Sequence, residues 1–384
     1  MEFNLDPVQG RNEGLFLNRL RLNATVEPAR WAKLVFQGQD ARAFDLHSWM
    51  RTRGLRDTLD VRLGYIELGH SEQGWQARFG RQELPVGDER LIGADNYWDP
   101  FGQSFDAVRL AWFRTGFRFE AFTGFRVEPA PRPPDPYDTA SRISGLCAQW
   151  KSGVHEGLVE PYLLWKRGED SQDLAEHRGH RDTVTPGLRL QGGLPGRLDY
   201  RIEMAVQRGH VVDEPISAWA GHWEMGWKLP GSDPGPRVRF EFNFASGDAD
   251  AQDGRHQTFD DLFPAGFNGY GIADPFAWRN IQYPAAAVEV PLSRRATLYG
   301  GFRAYWVATA GDGVYASGDT FLIRNPTATS SHIGDHFFLS VTYFRSVHWR
   351  MDAGYGYLLP GGYLRQAGYM AGLQTVYVLS SFTL

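Results

Sequence analysis

The sequence predicts an all-β chain, folded as one closed antiparallel transmembrane β-barrel of about 18 strands, or about 16. Three observations predict it. Apolar and charged residues alternate with period two in segments spread from end to end. Short turns alternate with long loops, and no segment keeps the 3.6-residue period of a helix.

Neighbouring side chains of a strand point to opposite faces, so a charged stripe opposite an apolar one means two different solvents. The first segment, Phe16 to Val26, sets Leu20, Leu22, Ala24 and Val26 against Arg19, Arg21, Asn23 and Thr25. Leu34 and Phe36 then oppose Lys33 and Gln37. Leu59, Val61, Leu63 and Tyr65 oppose Asp60 and Arg62, and Trp75, Ala77 and Phe79 oppose Gln76 and Arg78. The stretch Gly80–Leu110 reads as a strand, a long loop and a returning strand, in which Val108, Leu110 and Trp112 lie opposite Arg109.

Phe117, Phe119 and Ala121 follow, against Arg118 and Glu120. Ser144–Trp150 and Val159–Trp165 alternate more weakly. Leu188 and Leu190 oppose Arg189. The longest stripe runs Leu198, Tyr200, Ile202, Met204 and Val206 against Asp199, Arg201, Glu203 and Gln207. Trp223, Met225 and Trp227 face away from Glu224, and Val238, Phe240 and Phe242 from Arg239 and Glu241. Ile281–Val290, Ala296–Trp306 with Arg303, Phe337–Tyr343, Trp349–Tyr355 with Arg350 and Asp352, and Val376–Leu384 complete the set.

Short turns follow Val26, Leu68, Arg114, Trp150, Gly193, Leu229, Pro291 and Phe344. Long loops are expected near 40–57, 86–104, 127–141, 168–183, 208–216, 246–278, 308–332 and 358–371. Turns on one rim and loops on the other are the pattern of an outer-membrane barrel, with short periplasmic turns and long extracellular loops. The first full segment ends in a short turn, so it descends and needs an ascending neighbour. Met1–Leu5 is expected to be the end of that truncated first strand, because an unpaired edge in lipid leaves backbone groups without hydrogen bonds. Residues 1–384 then form one domain.

Composition agrees. Glycine is abundant at 44 residues and aromatics reach 14%, as many strands joined by tight turns require. The single Cys147 excludes an intramolecular disulfide and a cysteine-based metal site. No run of about 20 apolar residues exists, which excludes a transmembrane helix. The mean hydropathy of -0.41 suits a barrel, where only alternate residues meet lipid. A net charge of -5 offers no basic surface for nucleic acid. Neither a basic stretch nor an apolar one follows Met1, so this sequence shows no secretory signal; if the protein is exported, the sequence is a mature form or its true start lies upstream.

Against this background three groups of residues become specific. They are GRQEL with a Gly-Asp-x-Arg-Leu loop and SFDAVRL; Phe244-Ala-Ser-Gly-Asp248 with Asp253-Gly254, Thr258-Phe-Asp-Asp-Leu-Phe263 and Asn280; and Arg19-Leu-Arg21 with Phe36-Gln-Gly-Gln-Asp-Ala-Arg42. Together they resemble the alginate-export family of outer-membrane proteins, from about residue 15 to the end. The resemblance implies an outer-membrane barrel of a Gram-negative bacterium, passing an acidic polysaccharide through an arginine-lined lumen. This chain offers no periplasmic segment long enough to plug the pore, and acids are plentiful on its polar face.

By parity, the lumen path is expected to hold Arg19, Arg21, Lys33, Arg62, Arg78, Arg109, Arg118, Arg189, Arg201, Arg239, Arg303 and Arg350. Acids on the same face include Asp60, Glu120, Glu160, Asp199, Glu203, Glu224, Glu241, Glu289 and Asp352. The planar fork of arginine matches carboxylates bidentately, so a ladder of them could hand on uronate sugars or small anions. The plainer reading is that these charges pair across the wall and brace it.

Arg90, Tyr97, Trp98 and Phe101 in one long loop, with Phe263 and Phe267 in another, are candidates for a constriction. Asp248, Asp250 and Asp253 have part of the spacing of a calcium loop, but no Glu closes it. Calcium there would be structural; no other cofactor is expected. Trp31, Trp75, Trp112, Trp165, Trp227, Trp306 and Trp349 are expected at the membrane interfaces. No catalytic constellation emerges, so the chain reads as a channel and not an enzyme. The competing reading is a structural sleeve that houses or docks a periplasmic or lumenal protein and conducts little.

Overall fold

The computed structural model describes residues 15–45, 56–70, 72–94, 101–130, 134–153, 156–172, 178–231, 234–250, 252–265, 276–315, 321–325 and 327–384. Seventeen long strands form one sheet. They are β1 (Leu15–Ala29), β2 (Ala32–Asp45), β3 (Arg56–Gly69), β4 (Gly74–Gln82), β5 (Phe105–Arg114), β6 (Phe117–Val127), β7 (Tyr137–Lys151), β8 (Leu158–Gln172) and β9 (Arg178–Leu194), then β10 (Leu198–Val211), β11 (Glu214–Lys228), β12 (Arg237–Ala245), β13 (Ile281–Ser293) and β14 (Ala296–Val307). A separate hairpin, β15 (Gly313–Tyr315) and β16 (Phe321–Arg324), interrupts the series. The sheet resumes with β17 (His332–Phe344), β18 (Trp349–Pro360) and β19 (Leu373–Phe382), with a five-residue helix α1 (Gly362–Gln366) before the last strand.

Every strand pairs antiparallel with its neighbour in chain order, from β1–β2 to β18–β19, and β14 passes over the hairpin to β17. β1 and β19 both run toward the short-turn rim. An even antiparallel closure therefore takes one more, ascending, strand between them. The expected Met1–Leu5 segment lies outside the described residues.

The faces divide as the alternation requires. Along β5, Val108 and Leu110 are 41% and 45% exposed while Arg109 between them is 6% exposed. The outward face repeats this on strand after strand, with Phe79, Met204, Phe240, Phe242, Phe337 and Val378 all open. An aqueous protein could not leave so much contiguous apolar surface bare, whereas lipid covers it. Trp31, Trp75, Trp227 and Trp349 are exposed beside the short turns, and Trp75 lies 6.3 Å from Trp112.

The connections on the long-loop rim differ from expectation in one respect. The 208–216 loop is only the turn Val212–Asp213, because β10 and β11 continue as paired strands to Val211 and from Glu214. Likewise the strands around 168–183 extend to Gln172 and from Arg178. These ends project past the bilayer, which about 10 residues suffice to cross. There the apolar stripe stops, and with it the sequence signal, while the ladder of hydrogen bonds goes on.

Candidate functional site

Two long loops fold into the space the sheet encloses. Leu84, Leu91 and Ile92 of the β4–β5 loop are buried, as are Phe259, Leu262 and Phe263 of the β12–β13 loop. The loops join each other through a parallel bridge at Ile92 and Phe263, with Gly93 N donating to Phe263 O at 3.0 Å and Phe263 N to Leu91 O at 2.8 Å. Gly93 is needed there, since a Cβ would stand 2.4 Å from the Ala265 methyl.

Charged side chains moor both loops to the inner wall. Asp88 pairs with Arg189 on β9, and Arg90 reaches His222 on β11 at 3.1 Å and Glu203 on β10 at 3.8 Å. From the other side of the same loop, Phe101 O accepts from Arg21, Arg62 and Gln39. The loop thus crosses from β1–β3 to β9–β11, which is possible only because the sheet curls round it. Asp260 of the second loop is 1% exposed and accepts from Lys166 at 2.9 Å and Arg181 at 3.1 Å. Its backbone exchanges two hydrogen bonds with the Gln207 side chain, at 2.7 and 2.8 Å.

The family-like residues 244–263 and Asn280 act in this anchoring. Ser246 Oγ donates to Gln257 O at 2.7 Å. Asn280 donates to Thr309 O and Gly313 O at 3.0 and 2.8 Å. Gly247 has no room for a Cβ, which would meet Asn280 Oδ1 at 1.9 Å. Asp312 accepts from Thr258 Oγ1 at 2.6 Å and Asp248 N at 3.0 Å, tying in the hairpin loop as well.

The wall charges run in level rows. Register places Glu160, Arg189, Glu203, His222 and Asn243 side by side across β8 to β12. One rung nearer the short turns lie Gln191, Arg201, Glu224 and Glu241, continued by Ala285, Arg303 and His336. Glu224 and Glu241 stand directly opposite, a repulsive pair. Arg237 and Arg239 relieve it, reaching Glu224 at 2.7 and 3.3 Å.

Most of the arginines expected in the path are paired. Arg78 donates to Glu67 at 2.6 Å, and Arg109 and Arg118 converge on Glu120. Arg62 bonds Glu83 at 2.6 Å, Arg189 bonds Glu160, and Arg350 bonds Asp352 at 2.9 Å. Arg239 also contacts Tyr299, Asp199 is held by Arg237, and Arg303 lies 4.5 Å from the Phe338 ring centre. Arg201 differs: it is exposed and makes no hydrogen bond or ion pair among the described residues. It borders a recess of about 290 Å³ with Asp88, Arg90 and Glu224, and a second of about 400 Å³ with Asp199, Lys228 and Arg237.

Sequence reasoning passed over Lys166, Arg181, Asp88, Asp260 and Arg237. The first two follow the parity of β8 and β9, in the overshooting ends where no apolar stripe marks the face. The constriction candidates Tyr97, Trp98 and Phe267 lie outside the described residues. Arg90 and Phe101 are placed inside the barrel, Phe101 through its backbone.

Asp248, Asp250 and Asp253 do not converge. Each accepts from backbone amides of its own loop (Asp250 N and Gln257 N, Gln252 N, and Arg255 N respectively), which gives them the work of bracing that turn. Among the described residues, three carboxylates come together at Asp57, Asp60 and Asp135, with oxygens within 4.8 Å. Burial pushes the Asp135 carboxyl up to about 7, and the neighbouring Asp57 and Asp60 charges add to this, while the Ala130 amide, donating at 2.8 Å, opposes it. A raised carboxyl binds its proton more tightly folded than unfolded. The stability it contributes is complete below about pH 3.9 and is lost as pH rises through about 7. The protection of the Glu128 and Ala130 amides, taken as exchange relative to the intrinsic rate at each pH, is therefore expected to fall between pH 5 and pH 8, and Asp135→Asn to abolish that fall. Unaltered pH dependence in the variant would exclude Asp135 as its source.

A family model described as alginate export matches residues 2–377. Comparison with curated proteins finds no match. Among solved structures, the chain is similar to the outer membrane protein OpdK of Pseudomonas aeruginosa, at 10% identity over 96% of this chain and 93% of that one, with a TM-score of 0.64. OccAB2 of Acinetobacter baumannii is 10% identical over 95% and 91%, with a TM-score of 0.62. OprD of Pseudomonas aeruginosa is 9% identical over 96% and 91%, at 0.57. At such identities the likeness speaks for the fold. With apolar strands outside, charged rows and loops inside, and the family model covering nearly every residue, the chain belongs to the alginate export family of β-barrel channels of the Gram-negative outer membrane.

Proposed function

We propose that this channel passes anionic solutes, uronate-rich polysaccharide or small carboxylates, down a passive gradient, and that arginines of the inner wall select them where two inward-folded loops narrow the path. The observation that carries the reading is Arg201, an exposed cation without an ion pair among the described residues, bordering both recesses. Paired arginines are spent on the wall; an unpaired one can take a carboxylate from the solvent. A solved structure of OpdK carries vanillate, itself a carboxylate, in a chain of similar fold at 10% identity and a TM-score of 0.63.

Planar-bilayer recordings test the proposal. Anion-selective conductance that falls as uronate oligomers are added is expected. Cation selectivity without block would refute it, and a purified barrel that never conducts would favour the sleeve.

A further inference from the structure

The outward face of β6 to β9 departs from the uniform apolar belt. Small side chains, Ala121, Thr123 and Ser144, form the floor of a trough of about 420 Å³. Val108 and Leu110 border it on one side, Leu163 and Trp165 on the other. Its exposed lining is almost wholly carbon, apart from the hydroxyls of Thr123 and Ser144, which bond each other at 2.9 Å. A groove of this volume and apolar lining on a lipid-facing wall has the chemistry to hold an acyl chain.

Directly above it, toward the long-loop rim, the same strands carry charge. Register aligns Phe125, Arg142, Arg167 and Asp182 in one row across β6 to β9. They border a second recess of about 430 Å³ with His180 and Glu169. Two arginines directly opposite on neighbouring strands repel each other. Arg167 is steadied by Asp182 at 3.3 Å and lies 3.9 Å from the Trp165 ring centre. Arg142 is exposed and has no ion pair among the described residues. Arg208 on β10, in register with Val184 one rung lower, is exposed on the same face. An anion set between Arg142 and Arg167 would turn that repulsion into two charge-assisted contacts.

We infer that this face binds a phosphorylated, acylated glycolipid of the outer leaflet, with a phosphate between Arg142 and Arg167 and one acyl chain in the trough below. The order of the two recesses argues for this occupant. The cations sit at headgroup level on the extracellular rim, and the apolar channel continues downward from them, as in an amphiphile with an anionic head. Asp182 and Glu169 act against a bare anion in water, so the acyl contact is required for the lipid to stay. The inference uses only the outward face and is independent of what crosses the lumen.

Native mass spectrometry of the detergent-solubilised barrel decides it, with lipid A, dephosphorylated lipid A and phosphatidylglycerol titrated separately. Lipid A is expected to bind at least about tenfold more tightly than its dephosphorylated form. Combining Arg142→Glu with Arg167→Glu should erase that preference, and the milder Arg142→Gln with Arg167→Gln should reduce it. Filling the floor with Ala121→Trp should weaken both forms of lipid A. Folding of each variant is checked by its heat-modifiable gel mobility. Equal binding with and without phosphates, tighter binding of phosphatidylglycerol, or a preference that survives in folded arginine variants would each overturn the inference.

Discussion

Replacing Asp260 by alanine is expected to cost about 3–5 kcal/mol of stability, because it strands two buried cations. Lys166 and Arg181 both close on this one carboxylate, at 2.9 and 3.1 Å, and it is 1% exposed. Unfolding in urea measures the loss. The same variant should raise single-channel conductance several-fold, since the loop it frees is the one bonded to Leu91 and Gly93 across the lumen. Unchanged conductance in a folded variant would mean that this loop does not narrow the path. A triple replacement, Asp260→Leu with Lys166→Met and Arg181→Met, should regain most of the stability, because well-packed apolar groups of similar volume substitute for a buried ion cluster.

Arg201→Glu is expected to change selectivity at a small cost in stability, since it sets an exposed like charge directly opposite Glu224. Among the described residues no ion pair is lost, and the new carboxylate faces solvent in the two recesses beside Arg201. The anion-to-cation permeability ratio should fall by about tenfold, equivalent to about 1.4 kcal/mol at the selective point. Reversal potentials in a salt gradient read it. Arg109→Glu is the contrast: Arg109 is 6% exposed and pairs with Glu120. A second carboxylate beside Glu120 would be buried against a like charge, so folding yield is expected to fail before selectivity can be recorded. If both variants conduct with equal loss of anion preference, Arg109 belongs to the path and its pairing is no barrier to that role.

These two arginines show where reading residues in order succeeds and where it stops. Parity placed both on the polar face, for a physical reason: the strand repeats every two residues, so the partition between lipid and lumen is written in the order of residues alone. The same rule placed Val108, Leu110 and Met204 outward, and the alternation of short and long connections oriented the barrel. Parity is silent about partners. Whether Arg109 meets Glu120, or Arg201 meets open space, depends on which rung of the next strand stands beside it, and on which loop turns inward.

The loops are the larger omission. Asp260 was visible within Thr-Phe-Asp-Asp-Leu-Phe, yet its partners Lys166 and Arg181 are 94 and 79 residues away in sequence. No local pattern links them. The bridge from Ile92 to Phe263 likewise joins two loops whose aromatics marked them as constriction candidates, while nothing local paired one with the other. The sequence by itself therefore determined the class of the fold, its membrane, and the face of each strand, because those follow from short-range periodicity and from the demand that every backbone group in lipid be paired. Only the tertiary structure decided which arginines are locked and which is open, because pairing inside a barrel is set by register and by loops that cross it, and neither is local.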